Sequence, residues 1–227
     1  MGCDPAHNGG HPCEPDELPL HTVYLDAYRI DRTEVTTAQY MMCVEAGMCI
    51  EPNTQRHANP AYANHPVIWV GWRYSYNYCR WVGKRLPTEA EWEKAARGAT
   101  DTRAYPWGDA APNCSLANYS PTYPERCGVL DTTPVGSYPA GASPYGALDM
   151  AGNVREWTND WYQDNYYSIS PGNNPQGPGP GAWGLKAVRG GDFITTAYDG
   201  RLRLVYRSHL DEGGTTGTIG FRCAAAP

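Results

Sequence analysis

Apolar residues recur at helical spacing in three stretches, all within the first hundred residues. Thr36 and Gln39 form a T-x-x-Q capping box that opens the first, after Glu34-Val35. Tyr40, Met41, Val44 and Met48 share one face of it, and Gly47 helps to end it. The second is predicted from Trp72 to Val82, with Trp72, Tyr76, Cys79 and Val82 on one side and Lys84 and Arg85 suited to its C-terminal end. The third begins at Pro87-Thr88, where Thr88 caps and Glu91 completes a second box, and Gly98 stands just past its end. Alternating or β-rich runs predict strands at 21–31, 66–70, 186–193 and 220–224, with Trp157 and Trp161 on a further strand. From residue 99 onward no helical period is found. Turn-rich runs occupy 106–109, 112–126 and 134–144, and a Gly/Pro cluster at 170–182 predicts an exposed loop. Early helices and late short strands make an α+β fold, taken as a single domain over 1–227.

The stretch Gly146 to Trp161 concentrates unusual chemistry. Gly146 and Gly152 predict backbone turns at positive φ. Asp149 and Glu156 then bracket a tight loop with backbone carbonyls between them. Two carboxylates and two or three carbonyls make a hard oxygen cage of the kind that suits Ca²⁺. A plain turn leading into a Trp-bearing strand is the alternative, since the spacing matches no loop-type calcium motif.

Composition narrows the function classes. The 227 residues include 17 Tyr and 8 Trp against 2 Phe, so the aromatic supply favours rings with a polar tip, as binding surfaces do. The net charge of -6 disfavours a nucleic-acid partner, which needs clustered cations. No apolar run is long enough for a membrane span, and Met1-Gly2-Cys3-Asp4-Pro5 does not read as a signal peptide. Eight cysteines without a C-x-x-C exclude zinc-ribbon and thioredoxin readings. Their spacing suggests local loops, Cys3 with Cys13, Cys43 with Cys49 and Cys114 with Cys127, which leaves Cys79 and Cys223, although spacing does not fix connectivity. Four bridges would place the chain in an oxidising, extracytoplasmic or secreted setting, as a mature form or an excised domain; reduced buried thiols in a cytosolic protein are the alternative. His7, His11 and Glu14, spaced H-x-x-x-H-x-x-E, have the types of a non-haem iron set, but their Gly/Pro loop favours solvent-exposed histidines.

Five ordered motifs carry a resemblance. Arg85-Leu86-Pro87-Thr88-Glu89-Ala90-Glu91-Trp92-Glu93, Tyr105-Pro106-Trp107-Gly108, Gly152-Asn153-Val154-Arg155-Glu156-Trp157, Arg189-Gly190-Gly191 and Gly220-Phe221-Arg222-Cys223 resemble the formylglycine-generating-enzyme (sulfatase-modifying factor) family, and the likeness runs from Met1 to the C-terminus. It implies a C-type-lectin-like fold of that type, with little regular secondary structure, two to three helices and short antiparallel strands. It implies calcium on Asp149, the carbonyls of Gly152 and Val154, and Glu156. A second family calcium site would use Asn118 and Tyr119 with a downstream Asp, near whose place Cys127 stands, and a Cys114–Cys127 bridge would tie that loop instead. The resemblance also supports pairing Cys79 with Cys223.

The family oxidase holds copper through two cysteines shortly after its Gly-Gly strand. Residues 190–201 contain no cysteine; Thr195 stands near the first position and Asp199 or Gly200 near the second. A hydroxyl does not replace a thiolate as a Cu(I) ligand, so formylglycine formation by that mechanism is not expected. The leading expectation is a calcium-stabilised, disulfide-linked binding module for a peptide, glycan or protein ligand. Its groove is expected to be lined by Asp192, Thr195, Thr196, Tyr198, Asp199, Arg201, Arg203, Tyr206, Arg207 and His209, although Arg189, Arg203 and Arg207 also suit pairing with acidic loops. A second possibility is a metal-dependent oxidase or tailoring enzyme of the same superfamily, with His7, His11, His21, His57, His65 and His209 as its available histidines. A third is a retroelement-diversified ligand-binding protein. Asp192, Ile194, Thr195, Thr196, Tyr198, Asp199 and His209 are residue types that adenine mutation yields.

Overall fold

A computed structural model describes residues 1–99, 102–120, 127, 130–181 and 183–227. The architecture is α+β, with three α-helices and short strands among the described residues. In chain order the elements are β1 (Arg29–Ile30), α1 (Thr37–Glu45), α2 (Trp72–Trp81), α3 (Glu89–Arg97), β2 (Arg155–Trp161), β3 (Leu185–Arg189), β4 (Ser208–Asp211), β5 (Ile219–Gly220) and β6 (Ala224–Ala225), with short 3-10 turns between them. The sheet order is β4-β3-β2-β5, antiparallel except for the parallel β2–β5 pair, and β1 pairs antiparallel with β6.

Both capping boxes form as read. Gln39 N donates to Thr36 Oγ1 at 3.2 Å while Thr36 N donates to Gln39 Oε1 at 2.9 Å. Thr88 and Glu91 repeat the exchange on α3, and Gly98 leaves that helix at φ 101°. Among the described residues there is no α-helix after α3. Three expected strands shrink. Residues 21–31 give only β1 and a bridge from Tyr24 to Asn173, because the available neighbour is a Gly/Pro loop that supplies few backbone partners. Residues 66–70 contribute one bridge, Thr36 to Pro66, before Trp69 turns at φ 62°. The 220–224 run splits into β5 and β6. The turn-rich run expected through Arg126 lies partly outside the described residues.

Four disulfides close the chain as anticipated: Cys3–Cys13, Cys43–Cys49, Cys79–Cys223 and Cys114–Cys127. Cys79–Cys223 joins α2 to the C-terminal segment inside the main core, where Tyr40, Leu86, Trp157, Val188 and Phe221 also meet. Trp157 is fully buried and donates to Val70 O at 3.0 Å. Trp161 instead stacks beside Trp72, with the Lys186 ammonium 3.7 Å from each ring centroid. No helix of the described residues is long and apolar enough to cross a membrane.

Candidate functional site

The loop before β2 is as tightly turned as its glycines suggest. Gly146 and Gly152 have φ 79° and 87°, and Asp149 and Asn153 join them at 56° and 57°. A Cβ on Gly152 would stand 2.4 Å from Asn118 O, so the loop passes directly over the 118 segment. Asn153, which sequence reasoning passed over, is the hub. Its Nδ2 donates to Glu34 Oε1 at 2.9 Å, its Oδ1 accepts from Thr133 N at 2.9 Å, and its carbonyl accepts from Phe193 N at 3.0 Å. An Asn held at positive φ in a Gly-Asn turn was the available signal.

The expected oxygen cage is rearranged at one end. Arg222 grips Glu156 through Nε to Oε2 and Nη2 to Oε1, both 2.7 Å, and Trp92 Nε1 donates to the same Oε2 at 2.9 Å. Glu156 thus serves as the buried counter-ion of Arg222, with Oε2 accepting two hydrogen bonds and Oε1 one. Asp149 keeps its place: its Oδ2 accepts from Gly136 N at 2.6 Å, and its carboxyl lies within hydrogen-bonding reach of Glu34. Burial pushes Glu34 well above the ordinary carboxylate range, and the adjacent Asp149 pushes it further. Burial raises Asp149 as well. Glu34 Oε2 is buried with no hydrogen-bond partner among the described residues. Two buried carboxyls side by side, one with an orphaned oxygen, either share a proton or hold a cation. Gly152 and Val154 lie in the same loop, Gly152 N being bonded to Gly190 O. At the second family position Asn118 is likewise buried, with Oδ1 unpartnered and Nδ2 donating to Asp131 O; residues 128 and 129 lie outside the described residues.

The connection from β3 to β4, residues 190–207, carries the expected ligand surface. Asp192 starts it with a tight turn, its Oδ1 accepting from Ile194 N at 3.1 Å and Thr195 Oγ1 at 2.9 Å. Asp192, Thr195, Asp199, Arg201 and Tyr206 come together around an open hollow of about 160 Å³, completed by Gly191, Ile194 and a residue not foreseen, Arg155 of β2. Thr196 and Tyr198 belong to the same face, Tyr198 being 75 % exposed.

Five expected members do not line this hollow: Thr196, Tyr198, Arg203, Arg207 and His209. Arg203 is 2 % exposed and forks onto Glu17 at 2.9 and 2.8 Å, while its Nε donates to Gly200 O. Arg207 is 4 % exposed and forks onto Glu89 at 2.8 and 3.0 Å. Their place in the ligand surface is corrected to that of buried anchors under the connection. His209 lies on β4 against Tyr162, ring centroids 4.3 Å apart. Arg189, fully buried, reaches Glu89 at 3.1 Å and Glu93 at 2.7 Å. Burial alone would raise the Glu93 carboxyl, but Arg97 and Arg189 outweigh it and hold it down at about 2.

All eight cysteines are in disulfides. His7 pairs with Asp109 at 2.7 Å on the surface, and His7, His11 and Glu14 do not converge. The one cluster of metal-ligating residue types among the described residues is Cys3, Cys13 and Glu17, whose sulfurs are already joined to each other.

Relatives agree with this picture. The chain is 34 % identical to the formylglycine-generating enzyme of Streptomyces coelicolor over 96 % of its own length and 84 % of that protein. It is 37 % identical to the serine/threonine-protein kinase pkn1 of Chlamydia caviae over 95 % of its own length, but spans only 36 % of that longer protein. PvdO from Pseudomonas aeruginosa superposes with a TM-score of 0.78 at 25 % identity, covering all of this chain and 90 % of that one. Treponema denticola variable protein 1 shares the fold at a TM-score of 0.77 and 24 % identity, covering all of this chain and 94 % of that one. The family described as the sulfatase-modifying factor enzyme 1-like domain matches residues 5–227, and the chain belongs to it.

Proposed function

We propose that the chain is a ligand-binding module built on the sulfatase-modifying factor scaffold, working in an oxidising, extracytoplasmic setting and recognising a peptide or protein at the 190–207 surface. The observation that carries this reading is the fate of sulfur. Every cysteine is spent on a structural bridge, and the position where the copper-holding oxidase of this family is expected to begin its thiolate pair carries Thr195, whose hydroxyl is bonded to Asp192. Neither a threonine hydroxyl nor a disulfide sulfur offers the thiolate that holds Cu(I). The match to a kinase nearly three times as long favours a module within a larger polypeptide. The test is elemental analysis with thiol counting on denatured native protein. Calcium without redox metal and no free thiol is the expected result; stoichiometric copper or iron would overturn it. The 34 % identity to a formylglycine-generating enzyme favours oxidase chemistry as the second reading, and that metal result would sustain it.

We further propose that calcium replaces the proton shared by Asp149 and Glu34. The orphaned Glu34 oxygen and the stacking of two carboxyls in a buried loop support it. Asp149 and Glu34 would be the anionic ligands, with the carbonyls of Gly152 and Val154 as neutral ones, and Glu156 would join only by releasing one Arg222 bond. The ion would neutralise the two carboxylates and rivet the loop beneath β2, without taking part in any reaction.

A further inference from the structure

We infer that the hollow beside Asp192 is a subsite for a carboxylate borne on an apolar peptide residue, gripped between Arg155 and Arg201. This rests on the ligand-binding reading of the same surface. The inference follows from which hydrogen-bonding groups there are already used. Both oxygens of Asp192 are engaged, one by Ile194 N and Thr195, the other facing Arg155 Nε at 3.0 Å. Thr195 Oγ1 donates to Asp192 and accepts from Asp192 N. Asp199 Oδ1 accepts from Arg201 N at 3.3 Å. The oxygens of Asp192 and Thr195 are therefore committed, and Asp199 keeps only its Oδ2 without a hydrogen bond.

The donors are not all committed. Arg155 is fixed by Thr218, which accepts from Nη2 at 2.9 Å, and by the ion pair of its buried Nε with Asp192, which leaves Nη1 to face the hollow. Nη1 of Arg155 and both terminal nitrogens of Arg201 make no hydrogen bond there. Arg201 is held only loosely, its Nε 3.8 Å from Asp199 Oδ2. A site whose spare groups are guanidinium N–H donors recognises an anion with paired acceptors, and a carboxylate matches that fork. The rim selects what the carboxylate is attached to. Ile194 is 52 % exposed and Tyr198 75 %, and Arg201 lies over the Tyr206 ring. An apolar side chain next to the carboxylate covers that surface, whereas a bare phosphate or a sugar acid leaves it wet.

The test uses the full chain and N-acetyl-leucine, its primary amide, and the γ-carboxylate probe N-acetyl-glutamate α-amide, by saturation-transfer NMR at millimolar concentration. N-acetyl-leucine is expected to bind about tenfold more tightly than its amide, and Arg155→Gln or Arg201→Gln to remove about that factor, with the melting temperature unchanged in Arg201→Gln. Stronger binding of the glutamate probe would assign the carboxylate to a side chain rather than a chain end and still support the subsite. Equal binding of acid and amide, no binding, or unaltered binding by both variants overturns it. A library of C-terminally amidated peptides lacking Asp and Glu separates the two levels. Capture by the wild type and loss with Tyr198→Ala would keep the ligand-binding reading while the carboxylate subsite fails. Capture of nothing from either set would end both.

Discussion

Arginines lie on both sides of the 190–207 connection, and their surroundings differ completely. Beneath it, Arg189, Arg203 and Arg207 are sealed from water and meet Glu89, Glu93 and Glu17 in charge-assisted pairs. At its outer face, Arg155 and Arg201 are partly exposed and keep unspent N–H groups. The inner set fixes the shape, because a buried cation whose partner is removed is left uncompensated. The outer set is held in place by that shape yet left unsaturated, the condition a recognition surface requires. Residue type alone does not distinguish the two; the buried carboxylates of Glu17 and of α3 do.

The sharpest way to break the contrast is Arg189→Ala. It takes one of two cationic partners from each of Glu89 and Glu93, leaving Arg207 and Arg97, and is expected to cost about 3 kcal/mol in urea unfolding. A cost below about 1 kcal/mol would mean that the inner set is no more structural than a surface pair. Next comes Cys79→Ala with Cys223→Ala, which frees α2 from the C-terminal segment and is expected to remove about 2–5 kcal/mol by the same measurement.

Acid tests the inner set without mutation. Because the folded Glu93 carboxyl is held near 2 against an ordinary 4.5, its contribution is complete above the ordinary value and is lost as pH falls toward 2. Glu93→Gln should therefore flatten the loss of melting temperature across that window, and a curve parallel to the wild type would refute the assignment.

Asp149 and Glu34 are raised rather than lowered, and the proposed calcium would counter that shift. Asp149→Asn should leave metal-free melting unchanged or higher, since it removes a like-charge neighbour, and should abolish the rise that calcium at a hundredfold excess over its Kd gives the wild type, about 2.7 kcal/mol. A full calcium response in Asp149→Asn would place the ion elsewhere. The smallest expected effect is on the outer set: Arg201→Gln should change stability by less than about 0.5 kcal/mol, and a larger loss in thermal melting would move Arg201 into the inner class.

What the sequence disclosed follows the range of the interactions. Both capping boxes span three residues and were read correctly, as were the local disulfides. The strand expected over 21–31 failed because its quality depends on what lies beside it, and the neighbour is a Gly/Pro loop some 150 residues away. The pairing of Glu156 with Arg222 was not legible because the two are 66 residues apart and the motif neighbours of Glu156 say nothing of it. Glu34 was taken only as a helix preamble, and its meeting with Asp149 depends on the Asn153 hub. Arg203 and Arg207 were placed in the ligand surface because the local sequence does not reveal that Glu17 of the N-terminal segment and Glu89 of α3 lie underneath.

The β3–β4 connection starts and finishes on paired strand ends, with Val188 opposite Ser208. Its two feet are fixed by the sheet, and its underside by Arg203 and Arg207. Exchanges confined to Ile194, Tyr198, Asp199 or Arg201 touch neither. The stretch is built like a cassette: a few outward side chains can be exchanged while the stability of the whole stays with the buried residues beneath them.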